Sequence, residues 1–432
     1  APLCGMGRTV ALEHPDFWGG TIDFDFALNP VAAAGALPGI LAQPAGHTED
    51  QLALRGQQLH VARLAAEPAI SEGSPDELSL SGEHSYLITG GLGNLGRELS
   101  LRLIERGARH LVLIGRTRLP ERDAWDQEHP ERIQQRIQIV KDLEAAGAQV
   151  HVAAIDVSRM YQVEEMLSTL RTMGFPDVDG VFHLAVSLVG KRLEEHSFDE
   201  FIESLRIKVL SSWNLGEALR DVPVSHNVYF SSASAHLAPL AENSGSYAAG
   251  NHFQDSFAHY LRGEDRAAMS FNFGIFSGTL PDSVIISFAL SGFEIFTSAE
   301  ALAEMELWMA NAAERPQVSL MPLNAAKVGE NYAGLLRATS ILKDLSSAAA
   351  PAGQTGEAAS GGEGKSDDFD LGAITALDDE ARAAAIVDYL VAKVARVMRV
   401  APDSFSPTAS IKGQGADSMM AVEIRNSIEK DT

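Results

Sequence analysis

Two segments of this 432-residue chain contain residue types at spacings that could support cofactor binding and proton transfer. Thr89–Gly96, with the sequence TGGLGNLG, is a glycine-rich turn that lets a backbone approach a pyrophosphate at a helix N-terminus. Tyr247 and Asn251 are four residues apart and so share one helix face. A tyrosine placed in this way can donate a proton to the alkoxide that forms when hydride reduces a ketone. The two segments together favour nucleotide-dependent reduction.

The glycine-rich turn stands in the context that nucleotide binding requires. It follows an apolar strand and opens a helical pattern in which Leu95, Leu99 and Leu103 recur every four residues. The alternative is a glycine-rich turn without a ligand. We predict the following cofactor-binding residues in the turn: Gly90, Gly91, Gly93, Asn94, Leu95 and Gly96.

The residue that ends the second strand indicates which nicotinamide cofactor binds. Arg116 lies there, 20 positions after Gly96, and an arginine accommodates the 2′-phosphate of NADPH. The alternative is a solvated surface arginine. Asp156 closes the third strand, where it either accepts a hydrogen bond from the adenine amino group or caps the strand end. We therefore predict NADPH as the cofactor, with Arg116 and Asp156 among its contacts.

A tyrosine that acts as a general acid needs further groups around it. A cation that lowers the phenol pKa is expected, and Lys208 on the preceding helix is the candidate. Ser232 ends a strand just before the tyrosine helix, and Ser234 is a rival for the serine role. We predict a catalytic set of Tyr247, Ser232, Lys208 and Asn251.

Short apolar runs alternate with amphipathic stretches through the middle of the chain. This alternation predicts an α/β fold, a Rossmann-like doubly wound parallel sheet with helices on both faces. The predicted strands are Tyr86–Thr89, His110–Gly115, Gln149–Asp156, Asp179–Ala185, Asn227–Ser231, Met269–Gly274 and Gln317–Leu320. Before them, Leu52–Arg55 and Leu59–Leu64 flank Gly56 and predict a strand pair in a smaller companion domain.

The C-terminal part divides into a linker and a helical segment. Ser346–Asp367 is rich in Ala, Gly, Ser and Glu and predicts a flexible linker. After it, apolar residues recur at helical spacing, which predicts one helix of a small bundle; they are Ile386, Leu390, Val394, Val397 and Met398. We predict four regions with the bounds 1–80, 81–335, 336–373 and 374–432.

Composition excludes several classes of partner and site. A net charge of −24 argues against nucleic acid and anionic membranes, and no apolar run reaches the roughly 20 residues of a membrane span. The single cysteine, Cys4, excludes an internal disulfide and a multi-cysteine metal site. We predict no metal site and a cytoplasmic location.

The middle region resembles the ketoreductase domain of modular type I polyketide synthases, a branch of the short-chain dehydrogenase/reductase superfamily. In that family lysine and asparagine exchange places relative to ordinary short-chain reductases, and Lys208, Tyr247 and Asn251 match this order. Gly7–Pro15 and Trp18–Gly20 resemble the family's noncatalytic structural subdomain, of which the opening half is expected to be missing. The resemblance extends to about Leu323.

The resemblance implies roles for the site residues. Tyr247 is expected to donate the proton, Ser232 to hydrogen-bond the ketone oxygen, and Lys208 and Asn251 to support a proton relay. His183–Val186 replaces a run of small residues beside the cofactor, which is expected to reshape the pocket floor.

Two further segments bear on stereochemistry and substrate. Leu188-Val189-Gly190 stands where the family has a Leu-Asp-Asp motif associated with one alcohol configuration, and no tryptophan precedes Tyr247 in the loop associated with the other. The resemblance implies the L-alcohol as the expected product. Ser283–Phe293 is expected to be an apolar lid, with a surface helix as the alternative.

Gly415–Met420, with the sequence GADSMM, resembles the serine motif of acyl carrier proteins. The resemblance implies that Ser418 carries 4′-phosphopantetheine, attached by a phosphopantetheinyl transferase; an ordinary helix cap is the alternative. The chain stops at Thr432, so an incomplete carrier bundle is expected.

Three functions follow as hypotheses. The first is NADPH-dependent reduction of a carrier-tethered β-ketoacyl thioester to a β-hydroxyacyl thioester in polyketide biosynthesis, with other domains of the synthase as partners. The second is a structural or docking module without reductase activity. The third is an epimerase that inverts an α-substituent without net consumption of cofactor.

Overall fold

The computed structural model describes most of the chain from Pro2 to Leu320 and one helix beyond it. The described residues are 2–25, 30–41, 49–56, 58–67, 70, 76–187, 190–237, 240–241, 243–277, 285, 288–289, 292–324, 327–328, 340–342, 344–345, 378–398 and 424. The predicted linker Ser346–Asp367, Leu188, Val189 and Ser418 lie outside them, as does most of the predicted lid.

A seven-stranded parallel sheet forms the centre of the molecule. Its strands are β4 (Ser85–Thr89), β5 (His110–Gly115), β6 (Gln149–Ala154), β7 (Val178–His183), β8 (His226–Ser232), β9 (Met269–Phe273) and β10 (Gln317–Leu320). Their order across the sheet is β10-β9-β8-β7-β4-β5-β6, and every neighbouring pair is parallel. The predicted doubly wound fold is confirmed.

Helices cover both faces of this sheet. They are α3 (Asn94–Glu105), α4 (Glu131–Ala145), α5 (Met160–Thr172), α6 (Phe198–Ala218), α7 (Gly245–Gly263) and α8 (Ser298–Asn311). Successive residues of β4 point to opposite faces, and Ile88 joins the core under α3, whereas Leu87 joins the core under α5 and α6. Strands buried on both faces produce the continuous apolar runs seen in the sequence.

The N-terminal region contains a three-stranded sheet of β1 (Thr21–Phe24), β2 (Gln51–Arg55) and β3 (Gln58–Val61). The predicted strand pair is confirmed as the antiparallel β2 and β3, although β3 ends at Val61 and not at Leu64. Leu64 leaves the sheet because its amide donates to the Ile341 carbonyl, 2.8 Å away. Two α-helices, α1 (Pro2–Glu13) and α2 (Pro30–Leu41), and a 3-10 helix (Pro15–Phe17) complete the described elements of this region.

Helix α1 packs closely against α7 of the central domain. A Cβ atom on Gly5 would lie 2.5 Å from the Ala248 carbonyl oxygen, so only glycine permits this approach. Arg8 on the same helix is buried and donates to the Gln51 side chain over 2.6 Å. The N-terminal segment is therefore held directly against the helix that carries Tyr247.

The predicted C-terminal helix is confirmed as α9 (Asp379–Met398). Within its apolar stripe Val394 is buried, whereas Ile386 is partly exposed. Among the helices that the structure describes, none combines the length and the apolar character needed to cross a bilayer.

Candidate active site

The predicted site residues converge at the carboxyl edge of the central sheet. Strands β4 and β7 are neighbours there although two strands separate them in the chain, and such a reversal of strand order opens a crevice for ligands. The glycine-rich turn follows β4, and Ser232 ends β8 on the other side of β7. Tyr247 and Asn251 approach this edge from the first turns of α7.

The glycine-rich turn has the geometry of a pyrophosphate cradle. Gly90 has a φ of +73°, and its amide donates to the Ile114 carbonyl over 2.9 Å. A Cβ atom on Gly96 would lie 2.6 Å from the Gly90 carbonyl oxygen. Gly93 caps α3 without a side-chain hydrogen bond, so the first N–H groups of the helix can face an anion. The residues present fit a dinucleotide.

Arg116 and Asp156 follow β5 and β6 at the same edge. The Arg116 side chain is exposed, and its guanidinium lies 3.7 Å from the Glu203 carboxylate of α6. The Asp156 carboxylate accepts from the backbone amide and hydroxyl of Ser158, over 3.0 and 2.7 Å. The structure thus places the exposed Arg116 guanidinium at this edge, paired with Glu203, while Asp156 caps the turn before α5.

Lys208 is fully buried beneath the tyrosine helix. Its Nζ atom donates to the Phe230 carbonyl over 2.6 Å and to Gln254 Oε1 over 3.0 Å. It also lies 5.9 Å from the centre of the Tyr247 ring. Burial lowers the pKa of Lys208 to about 7, and the negative charge of Asp255 opposes the shift. Lys208 can therefore exchange a proton near neutral pH.

The pKa of Tyr247 differs from our expectation. We expected Lys208 to lower it, but burial raises it, with only partial compensation from a hydrogen bond with Ser232. The expectation was wrong because desolvation of the fully buried phenol outweighs the interactions that lower its pKa. A protonated phenol is the form that a proton donor requires.

The two candidate serines occupy different positions. Ser232 ends β8, and its Oγ accepts from the Ser234 amide over 3.2 Å and from the Ser234 hydroxyl over 3.1 Å. Ser234 is the more deeply buried residue, in the short helical turn behind Ser232. This arrangement leaves Ser232 as the hydroxyl beside Tyr247.

Asn251 is fully buried one turn after Tyr247. Its Nδ2 donates to the Tyr247 carbonyl over 2.9 Å. Its Oδ1 is buried without a hydrogen-bond partner among the described residues. An unpaired buried acceptor is costly, and a donor supplied by substrate or water would satisfy it.

His183 ends β7 between the turn and Lys208. Its Nδ1 lies 2.5 Å from Thr89 Oγ1, and the same hydroxyl oxygen accepts from the Ala185 amide over 3.1 Å. Burial and the nearby Lys208 charge lower the pKa of His183 to about 3, so the imidazole stays neutral. His183 and the Ala185 amide thus link the end of β7 to Thr89 at the end of β4, next to the glycine-rich turn.

Glu13 of α1 contributes to the site and was missed by the sequence analysis. Its carboxylate accepts from the Leu193 amide over 2.8 Å and from the Asn243 amide over 2.9 Å. Leu193 begins a short 3-10 helix between β7 and α6, whereas Asn243, with a φ of +55°, lies just before α7. No local pattern reveals this contact, because it joins residues 180 and 230 positions apart.

The parallel sheet, the glycine cradle and the tyrosine helix define a reductase of the Rossmann type. Residues 84–278 match the family model of the KR domain, and residues 388–432 match that of the phosphopantetheine attachment site. The chain therefore contains a ketoreductase domain of the polyketide synthase kind, followed by a phosphopantetheine attachment segment. A KR domain uses NAD(P)H, and the attachment segment implies 4′-phosphopantetheine.

Several curated proteins are similar to this chain. A 6-methylsalicylic acid synthase of Arthrobotrys oligospora is 32% identical over 62% of the chain and 15% of its own length. A 6-methylsalicylic acid synthase of Penicillium patulum is 30% identical over 99% of the chain and 23% of its own length. A 5-methyl-1-naphthoate synthase of Streptomyces sahachiroi is 42% identical over 43% of the chain and 10% of its own length. The chain thus spans less than a quarter of each of these relatives.

Solved structures resemble the same region. An A1-type ketoreductase superposes with a TM-score of 0.67 at 26% identity, covering 80% of this chain and 68% of the other. The first ketoreductase of the tylosin polyketide synthase superposes with a TM-score of 0.65 at 25% identity, covering 80% and 69%. Both agree with the assignment of the central domain to the ketoreductases.

Proposed function

We propose that this chain reduces a carrier-bound β-ketoacyl thioester to the β-hydroxyacyl thioester with NADPH. The observation that carries the proposal is the convergence of Tyr247, Ser232, Lys208 and Asn251 beside the glycine cradle. Each of these side chains is held by the fold, and the protonation states suit proton donation to a ketone oxygen. The test is loss of NADPH absorbance when purified protein meets a β-ketoacyl N-acetylcysteamine thioester, with chiral analysis of the alcohol. Absence of turnover refutes the proposal.

The proposed roles follow from the positions of the side chains. When bound, the nicotinamide supplies hydride to the ketone carbon. Ser232 donates a hydrogen bond to the ketone oxygen and orients it toward Tyr247. The Tyr247 phenol donates its proton to that oxygen as negative charge develops there, which completes the alcohol. Lys208, with a pKa of about 7, passes a proton toward the phenolate, and the Asn251 amide holds the relay in place.

We predict that Arg116→Ala weakens NADPH binding more than NADH binding. The guanidinium is the cation at the end of β5, where a 2′-phosphate is recognised, and a charged hydrogen bond is worth about 1.5–3 kcal/mol. The dissociation constant for NADPH is expected to rise about 10- to 100-fold. Fluorescence titration with both cofactors measures the change.

Arg118→Ala is the matched control, because Arg118 is also an exposed arginine, two residues further along. It is expected to leave both dissociation constants unchanged. Equal weakening by the two variants would assign the effect to general positive charge and refute a specific role of Arg116.

The C-terminal segment is proposed to deliver the substrate. Ser418 lies within the matched phosphopantetheine attachment site, and a phosphopantetheinyl transferase is its proposed partner. Other domains of a polyketide synthase are further proposed partners. We also propose that the chain divides into four regions: a partial structural subdomain (1–80), the catalytic ketoreductase subdomain (81–335), a linker (336–373) and a partial acyl carrier domain (374–432).

We predict that Ser418 is the residue that takes up phosphopantetheine. Incubation with coenzyme A and a broad phosphopantetheinyl transferase is expected to raise the intact mass by one phosphopantetheine. Ser418→Ala is expected to abolish the increase, whereas Ser427→Ala, a serine nine positions on, preserves it. An unchanged mass in the wild-type protein contradicts the carrier role.

A further inference from the structure

A buried carboxylate lies one helical turn beyond Asn251. Asp255 is 1% exposed on α7 and has no place in the mechanism described above. Its Oδ1 accepts from the Ser270 hydroxyl over 2.6 Å, and its Oδ2 accepts from Asn272 Nδ2 over 2.8 Å. Burying a carboxylate is costly unless it is hydrogen-bonded or paired, so its presence calls for a physical reason.

The contacts of Asp255 indicate an ionised carboxylate. A separation of 2.6 Å is typical of a hydroxyl that donates to a charged oxygen. Burial raises the pKa of Asp255, while hydrogen bonds with Ser270, Asn272 and Ser231 and the Arg8 charge on α1 oppose the shift. The negative charge of Asp255 also acts on Lys208 of α6. The carboxylate thus interacts electrostatically with two buried basic side chains on different helices, Arg8 and Lys208.

Asn272 connects this carboxylate to the reaction site. Besides Asp255, its Nδ2 lies 2.9 Å from Ser231 Oγ and 3.2 Å from the Ser232 carbonyl oxygen. The Ser231 hydroxyl in turn donates to the Asn251 carbonyl over 3.2 Å. Asp255 is therefore linked, through the Asn272 amide and the Ser231 hydroxyl, to the strand end that carries Ser232 and to the helical turn that carries Asn251.

We propose that Asp255 is a positioning residue for this site, which fixes the end of β8 against α7 through Asn272 and holds the positive charge on Lys208. The inference rests on the proposed reductase function. It assigns two separable effects to one carboxylate. The first is geometric and passes through Asn272, whereas the second is electrostatic and requires the charge alone.

The electrostatic effect has a defined sign. The groups that face Lys208 are His183 from β7, and Tyr247 and Asp255 from α7. His183 is neutral and the Tyr247 phenol is protonated, so Asp255 supplies the negative charge among these groups. Removing that charge lowers the pKa of Lys208 further below its ordinary value. Activity that requires protonated Lys208 is then lost at a lower pH.

The variant Asp255→Asn removes the negative charge but retains the geometric link, so it tests the electrostatic effect alone. An asparagine has nearly the same shape, can accept from Asn272 through its oxygen, and can donate to Ser270 Oγ through its amide. The alkaline limb of the kcat profile is expected to move down by about one pH unit, with KM for the ketone nearly unchanged. Backbone hydrogen exchange in residues 230–232 is expected to remain as in the wild type.

Asn272→Ala isolates the geometric link, because it retains the carboxylate. We expect kcat to fall by about 10- to 100-fold with the alkaline limb unmoved, since small displacements of reacting groups have effects of this size. Exchange in residues 230–232 is expected to accelerate about tenfold. Asn227→Ala is the matched control, because Asn227 is a buried asparagine at the opposite end of β8 that donates to the Ala267 carbonyl.

Three results would overturn the inference. They are an unmoved alkaline limb in Asp255→Asn, unchanged exchange in Asn272→Ala, and equal loss of kcat in Asn227→Ala. A wild-type protein that does not reduce the ketone refutes the proposed function instead. In that case the exchange measurement decides the positioning role by itself.

Discussion

Tyr247→Phe is expected to lower kcat for ketone reduction about 1000-fold, because general acid catalysis by a positioned side chain contributes roughly 10²–10⁴ in rate. The phenylalanine fills the same space on α7 but cannot donate a proton to the ketone oxygen. The dissociation constant for NADPH is expected to stay within about twofold, since the glycine cradle is untouched. Single-turnover measurements with a β-ketoacyl thioester separate the two quantities.

Tyr260→Phe provides the control for this experiment. Tyr260 lies on the same helix, stacks against Trp213 and is partly exposed. Removing its hydroxyl is expected to leave kcat unchanged. If Tyr247→Phe retains full turnover, the proton comes from another group and the proposed role of Tyr247 is wrong.

Gly96→Ala is expected to weaken NADPH binding by up to about 100-fold. The added Cβ atom would lie 2.6 Å from both the Gly90 carbonyl oxygen and the Gly91 Cα, so the turn must shift. Overpacking of this kind costs about 1–3 kcal/mol, and here it falls on the backbone that receives the pyrophosphate. Fluorescence titration of NADPH measures the change.

The matched variant is Gly263→Ala at the end of α7, where a Cβ atom would meet no other atom within 4 Å. We expect it to bind NADPH like the wild type. Thermal unfolding of both variants shows whether the fold survives. A folded Gly96→Ala protein with normal NADPH affinity would mean that the cofactor does not approach this turn.

Most of the central sheet could be predicted because its strands are buried on both faces. Such strands appear as short apolar runs, and β4 to β10 coincide with the predicted ones to within two residues at either end. The N-terminal sheet was harder to predict, since β1 pairs in parallel with β2 across a 26-residue connection that includes α2. A pairing of that kind leaves no periodic signal in the sequence.

The positions of the site residues followed from local spacing, but their supports did not. Tyr247 and Asn251 share a face by helical periodicity, and Ser232 ends a strand. By contrast, Asp255 meets Asn272 only after α7 packs on β9. The raised pKa of Tyr247 was also missed, because desolvation depends on neighbours that the fold brings together. Tertiary contacts, and not propensities, determine these features.

Because α1 packs on α7, we expect the cooperative folding unit to begin before the start of the matched KR region. A fragment that begins at residue 81 loses the Glu13 carboxylate and leaves the amides of Leu193 and Asn243 without that acceptor. It also uncovers the α7 backbone around Ala248, which Gly5 otherwise covers. A fragment without α1 is therefore expected to unfold locally beside its active site. The N-terminal helix thus stabilises the loops on which catalysis depends.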